Sequence, residues 1–166
     1  IDTEFAAFDP TSLLFLRHIR QVELCSDVET IVTVRREPID SHTRSVTLAN
    51  SNGITKWTLV DEGDINLAFI EDDKGIAKLD ERQAVVHAFL PTLESTGFPF
   101  KINGDISTDP SRTRVILDDR TAAGLRSIAK TVVDLIGNCF DRETTEVDPK
   151  FLSALIPNTD PRIADL

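Results

Sequence analysis

Between residues 21 and 61 apolar residues recur at every second position, and that period constrains the fold more than any other feature of the chain. Val22 and Leu24, Val32 and Val34, Val46 and Leu48, and Trp57 and Leu59 each alternate with polar neighbours. Successive side chains of a strand point to opposite faces, so such runs bury one face and leave the other to solvent. Asn50-Ser-Asn-Gly53 separates two of the runs. Asn and Gly tolerate positive φ, which makes this a tight-turn sequence. Three or four antiparallel strands joined by short turns are predicted over residues 21–61.

Helical signals flank this stretch. Asp9-Pro10, followed by Leu13-Leu-Phe-Leu-Arg-His-Ile-Arg20, reads as a helix start: Asp9 can cap free amides, and proline fits the first turn. From Asp118-Asp119 the spacing is helical again, with Thr121, Leu125, Ile128, Val132 and Leu135 on one stripe and the acidic pair at the positive end of the helix dipole. Asp148-Pro149 repeats the cap-plus-proline start before a short Phe-Leu-Ser-Ala-Leu helix. In between, Ile65–Ile70 fits either a strand or a short helix, and Asp72-Asp-Lys-Gly75 reads as a loop. Ala84–Leu90 is an apolar run of strand length, Pro91 to Gly97 reads as a turn, and Phe98, Phe100 and Ile102 alternate as a second strand. The predicted class is α+β, a mostly antiparallel sheet packed with a few helices. One domain is expected over residues 1–166: an N-terminal helix region (1–20), a strand-rich part (21–104), and a polar loop with C-terminal helices (105–166). A chain of 166 residues is long enough for one sizeable core.

The formal net charge of −10 excludes a basic nucleic-acid footprint at the level of the whole chain and disfavours anionic membrane surfaces. The densest basic spots, Arg35-Arg36 and Arg112-Thr-Arg114, have acidic neighbours, so no nucleic-acid partner is expected. There is no apolar run of membrane-span length and no basic-then-apolar leader at residue 1, and a cytoplasmic location is expected. Cys25 and Cys139 are two thiols far apart in sequence, read as buried and reduced. The sequence starts at Ile1 and contains no methionine, from which a fragment of a larger protein is expected.

His18, His42 and His87 have no ligand spacing. His18 falls in the predicted first helix and His87 in an apolar strand, where a hydrogen-bonded structural imidazole is the usual case. The carboxylate groups Asp61-Glu62, Glu71-Asp72-Asp73, Asp80-Glu81 and Asp118-Asp119 read as solvated faces or caps. The segment Phe98–Arg114 is more informative. A strand ends in Asn103-Gly-Asp105, and a small-polar loop then presents Arg112 and Arg114 before a helix. A guanidinium suits phosphate oxygens through its planar, fixed-charge fork. The simpler account on side-chain chemistry alone is that these arginines pair with Asp105, Asp109, Asp118 or Asp119.

Val86-His-Ala-Phe-Leu-Pro-Thr92, Thr96-Gly-Phe-Pro-Phe-Lys-Ile-Asn-Gly-Asp105 and Ser111-Arg112 together resemble the segment that follows the nucleotide-binding module in sacsin-type and related bacterial GHKL ATPases. Leu13–Arg20 and Val22-Glu-Leu24 share the resemblance, which covers most of residues 9–137. The wider group includes the ninety-kilodalton heat-shock chaperone, whose middle (transducer) domain supplies an arginine, from a loop before a helix, to the γ-phosphate held by the preceding domain. By position the resemblance makes Arg112 the phosphate-sensing residue and Arg114 a second candidate. The chaperone's loop has asparagine three residues before the arginine, where this chain has Asp109.

The resemblance implies a chaperone-like coupling domain, not an enzyme by itself but part of an ATPase, whose partner is the preceding nucleotide-binding domain of the same chain. The metal-binding asparagine, the catalytic glutamate and the adenine site of that family have no equivalent here, so ATP and magnesium are expected only in the intact parent protein. Against this stands an acidic protein–protein interaction module with no nucleotide role, in which Arg112 is locked in an internal salt bridge. A self-sufficient hydrolase built on a carboxylate pair lacks a convergent nucleophile, base or metal set.

Overall fold

The computed structural model describes residues 8–25, 30–141 and 149–157. Among these residues nine strands form one open sheet: β1 (Gln21–Leu24), β2 (Thr30–Pro38), β3 (Thr43–Asn50), β4 (Gly53–Glu62), β5 (Ile65–Asp72), β6 (Gly75–Ile76), β7 (Val85–Ala88), β8 (Leu90–Ser95) and β9 (Lys101–Asn103). Helices α1 (Asp119–Asp141) and α2 (Pro149–Leu155) follow. The strand order is β1-β2-β3-β4-β5-β9-β7-β8, with β6 paired to the end of β5. β7 and β9 run parallel, while the other described pairs are antiparallel. The class is therefore α+β with a mostly antiparallel sheet, as the alternation predicts.

Residues 21–62 hold four strands, and the predicted turn lies between β3 and β4. Asn50 pairs with Gly53, whose φ of 138° is open to glycine alone at little strain, and the Asn50 side chain accepts the Asn52 amide at 2.9 Å. The ambiguous Ile65–Ile70 run is strand β5, buried on both faces. That explains its apolar character, broken only by Asn66, since a strand covered on both sides need not alternate.

Strand parity divides the interior in two. Ile65, Leu67 and Phe69 of β5 join Val86, Ala88, Phe100 and Ile102 beneath the helices, where Ile128 and Val132 of α1 and Ala154 and Leu155 of α2 close the layer. On the opposite face Val32, Val34, Val46, Leu48, Trp57, Leu59 and Ala68 pack with Leu13, Leu14 and Phe15. The predicted α1 stripe is the one that turns inward. Thr121, Ile128 and Val132 are buried, Leu125 and Leu135 half-buried, and Asp118 caps the helix by accepting the Thr121 amide at 2.8 Å. No helix among the described residues is long and apolar enough to cross a membrane.

Several expectations are corrected. The predicted first helix is a single 3-10 turn, Pro10–Leu13, capped by Asp9 as expected. Leu13, Leu14 and Phe15 are all buried, and three successive residues span too wide an arc for one helical stripe. Arg36 of β2 takes the carbonyls a helix would use internally, donating to Ile19 at 2.6 Å, Leu13 at 2.7 Å and Leu16 at 3.0 Å. His18 consequently lies outside any helix and is exposed. The predicted turn from Pro91 to Gly97 is mostly edge strand β8, where the missing amide of Pro91 is tolerated. Its register against β7 jumps, with Val85 opposite Ser95 but His87 opposite Pro91, so Thr92, Leu93 and Glu94 form a bulge in which the buried Thr92 hydroxyl donates to the Val86 carbonyl at 2.8 Å and Leu93 is exposed. Phe98 to Phe100 bend, and the strand begins only at Lys101. Cys25 is exposed, contrary to the buried thiol expected. The Cys139 side chain and the Asp148 cap lie outside the described residues.

Candidate functional site

The sheet face beneath residues 8–20 carries a row of polar side chains, one per strand, in matching register. Asp61 of β4 faces Asn66 of β5, Asn66 faces Asn103 of β9, and Asn103 lies beside His87 of β7. The Asn66 amide donates to Asp61 at 2.5 Å, and the Asn103 amide donates to the Asn66 oxygen at 2.9 Å. Arg44 of β3 closes the outer end, its Nε donating to Asp61 Oδ2 at 2.5 Å, with Arg17 at 3.7 Å from the other carboxylate oxygen. At the inner end the Asn103 oxygen accepts the backbone amide of Phe89 at 2.8 Å.

Phe89 joins β7 to β8 with a φ of 66°, a left-handed conformation that a bulky side chain adopts only under strain. Arg112 holds the same joint from the other side. Its Nη2 donates to the carbonyls on either side of Phe89, Ala88 at 2.6 Å and Leu90 at 3.2 Å. The loop before α1 is thereby fastened to the β7–β8 corner, and Phe89 points its ring outward with 57% of its surface exposed.

Arg112 is itself left-handed, at φ 57°. The turn that imposes this is built by Asp109. Its carboxylate accepts the Arg114 amide at 2.9 Å and the Thr113 hydroxyl at 2.8 Å, and also the Ser111 hydroxyl. The Arg112 amide donates to the Asp109 carbonyl at 2.9 Å. These donors, the Arg114 amide first, hold the Asp109 carboxyl far below the usual carboxylate range. Asp109 therefore anchors the turn's own backbone and hydroxyls. The ion pairs expected of Arg112 and Arg114 do not form with any described carboxylate: Asp105 pairs with Arg120, and Asp118 caps α1. The internal salt bridge expected of Arg112 in an interaction module is replaced by carbonyl contacts. Arg114 is exposed.

Behind this corner sit two further nitrogen-bearing side chains, His87 and Lys101. His87 is fully buried, and neither ring nitrogen has a hydrogen-bond partner among the described residues, contrary to the bonded imidazole expected. Its ring meets Phe15 edge-on at 4.8 Å. Burial, with Lys101 and Arg112 nearby, pushes its pKa down to about 3, so the imidazole is neutral. Lys101, also buried, donates to the Gln83 carbonyl at 2.6 Å; burial lowers its pKa, opposed by Asp9 and Asp80. The Arg112 Nε is buried without a described acceptor.

An open cleft of about 440 Å³ lies between the β4–β5 turn and α1, with Glu62, Asp64, Asp105 and Asp134 facing Arg120 and Lys130. Its charges are of both signs and include no nucleophile–base pair. No group of three or more His, Cys, Asp or Glu among the described residues is arranged to hold a metal ion. The structure thus brings Arg112 to the β7–β8 corner and leaves Arg114 exposed on the same turn. The sequence reading did not single out Asn66, Asn103 or Phe89. Asn66 had a signal, a lone amide within an otherwise apolar strand, whereas Asn103 in Asn-Gly-Asp looks like ordinary turn chemistry. Compared with protein-family models, with curated proteins and with solved structures, the chain has no match.

Proposed function

We propose that this chain is the coupling domain of a GHKL-type ATPase, inactive alone, that offers Arg112 to the γ-phosphate of a nucleotide held by a preceding domain. The observation that carries this reading is electrostatic. Arg112 sits in a turn fixed by Asp109, and its guanidinium is held by neutral carbonyls with no described carboxylate to neutralise it. A fixed, uncompensated cation in a preset position is what stabilises charge developing on a transferring phosphoryl group. Arg114, on the same turn, would add a second positive charge. ATP and magnesium belong, on this reading, to the preceding domain.

The polar row supplies a route for nucleotide state to reach the rest of the molecule. A pull on Arg112 acts on the carbonyls around Phe89, and through the Phe89 amide on Asn103, Asn66 and Asp61. The test is steady-state ATP turnover by the intact protein carrying Arg112→Ala. Turnover is expected to fall about a hundredfold or more with nucleotide affinity largely kept, the size seen when one preset transition-state donor is lost. Unchanged turnover sinks the phosphate role.

One observation favours a second reading, an acidic protein-interaction module with no nucleotide role: the Arg112 fork already serves two backbone carbonyls. That reading expects Arg112→Ala to lower stability and nothing else.

A further inference from the structure

Two Asn-Gly pairs occur in the chain, Asn52-Gly53 and Asn103-Gly104. Glycine has no Cβ to hinder its backbone nitrogen from attacking the preceding side chain, so both pairs are chemically prone to deamidation. The fold treats them oppositely. Asn52 is exposed in the β3–β4 turn, whereas Asn103, within the polar row, is 2% exposed. Every group that would react at the second pair is held. The Asn103 side-chain nitrogen donates to the Asn66 oxygen at 2.9 Å, and the Asn103 oxygen accepts the Phe89 amide at 2.8 Å. The attacking nitrogen, that of Gly104, donates to the His87 carbonyl at 3.2 Å. A side chain at 104 is opposed by packing, since a Cβ there would lie 2.8 Å from the buried Ile65 side chain, which would have to shift. The close approach therefore retains the residue type that leaves Asn103 most open to the reaction.

We infer that Asn103 is a deamidation site guarded by the fold, converted when the corner of β7, β8 and β9 opens, and that its conversion keeps that corner from closing again. The Gly104 nitrogen gives up its proton and bonds to the Asn103 side-chain carbonyl carbon. The bond from that carbon to the amide nitrogen breaks, and ammonia leaves. Water then opens the cyclic imide at either carbonyl, giving aspartate or its β-linked isomer. Water is the sole co-reactant, and burial excludes it from the closed corner. Aspartate accepts hydrogen bonds but donates none, so the Asn66 oxygen loses its donor and meets a carboxylate instead. The β-linked isomer adds a backbone carbon to a strand of three residues. Either product opposes reclosure. The inference does not rest on the nucleotide reading.

The test follows both residues of the full chain by mass-spectrometric peptide mapping, in warm, mildly alkaline buffer with and without denaturing urea. Each residue is compared with itself, so differences in flanking sequence cancel. Asn103 is expected to convert about thirtyfold or more slowly in the folded chain, the factor that two hydrogen bonds of ordinary strength represent. Asn52 is expected to slow far less, because exposed turns open at little cost. Asn66→Ala removes one guard without touching either pair, and is expected to speed Asn103 conversion in the folded chain about fivefold. After the urea is removed, chains converted at Asn103 are expected in the protease-sensitive fraction and unconverted ones in the resistant fraction. Equal slowing of the two residues, a wild-type Asn103 rate in Asn66→Ala, or converted Asn103 spread evenly between the fractions overturns the proposal.

Discussion

Asn103 accepts the backbone amide of Phe89, fixing a strained residue between the two carbonyls that Arg112 binds. One side chain from the sheet and one from the loop before α1 therefore converge on a single peptide unit. The Asn103 contact is not replaceable by water without opening the corner, because Asn103 is buried.

Asn103→Ala strips a partner from the Phe89 amide and from the Asn66 oxygen together. A buried polar group left without a partner costs roughly 1–3 kcal/mol, so urea denaturation is expected to show a loss of about 2–4 kcal/mol. A change within about 0.5 kcal/mol, the range of an ordinary surface substitution, would mean that the row does not contribute.

His87 ties stability to pH. Its folded pKa lies near 3, below the ordinary 6.5, so the unfolded chain binds the proton more readily. The contribution is complete above 6.5 and is lost as pH falls from there toward 3, at a slope approaching about 1.4 kcal/mol per pH unit in the middle of that window. His87→Leu removes two unpartnered nitrogens, so it is expected to be neutral or stabilising at pH 7. The wild type and the variant should then diverge on acidification. Parallel stability-versus-pH curves would show that His87 is not held neutral.

Arg36 satisfies three carbonyls of the irregular segment after Pro10. Lysine keeps the charge but has no planar fork to reach three separated acceptors. Arg36→Lys is expected to lose about 2 kcal/mol and to speed hydrogen exchange in residues 13–20. Wild-type exchange there would contradict the assigned role.

The strand periodicity and the α1 stripe were legible because each rests on a local repeat: Val32/Val34, Val46/Leu48 and Trp57/Leu59 fix β2 to β4 without knowledge of their neighbours. The first helix was misjudged because its signals, Asp9 and Pro10, govern only a first turn. What ends it is Arg36, 17 or more residues away in sequence from every carbonyl it binds. Edge strand β8 was hidden by Pro91, a residue that argues against a central strand but is harmless at an edge. Arg112 was legible as the arginine of a loop before a helix, yet its partners were not, since backbone carbonyls leave no mark in a sequence. Asn66 and Asn103 needed the register of three strands before they became one feature.

The cross-strand polar row also bears on how the sheet is assembled. Sliding β5 or β9 by one residue would turn Asn66 or Asn103 into the apolar layer under the helices and send Leu67 or Ile102 out of it. β9 is only three residues long and carries few contacts of its own to choose a partner position. Two amides that find each other in one alignment alone give so short a strand an address, and a misaligned sheet would be left with stranded polar groups in its driest layer.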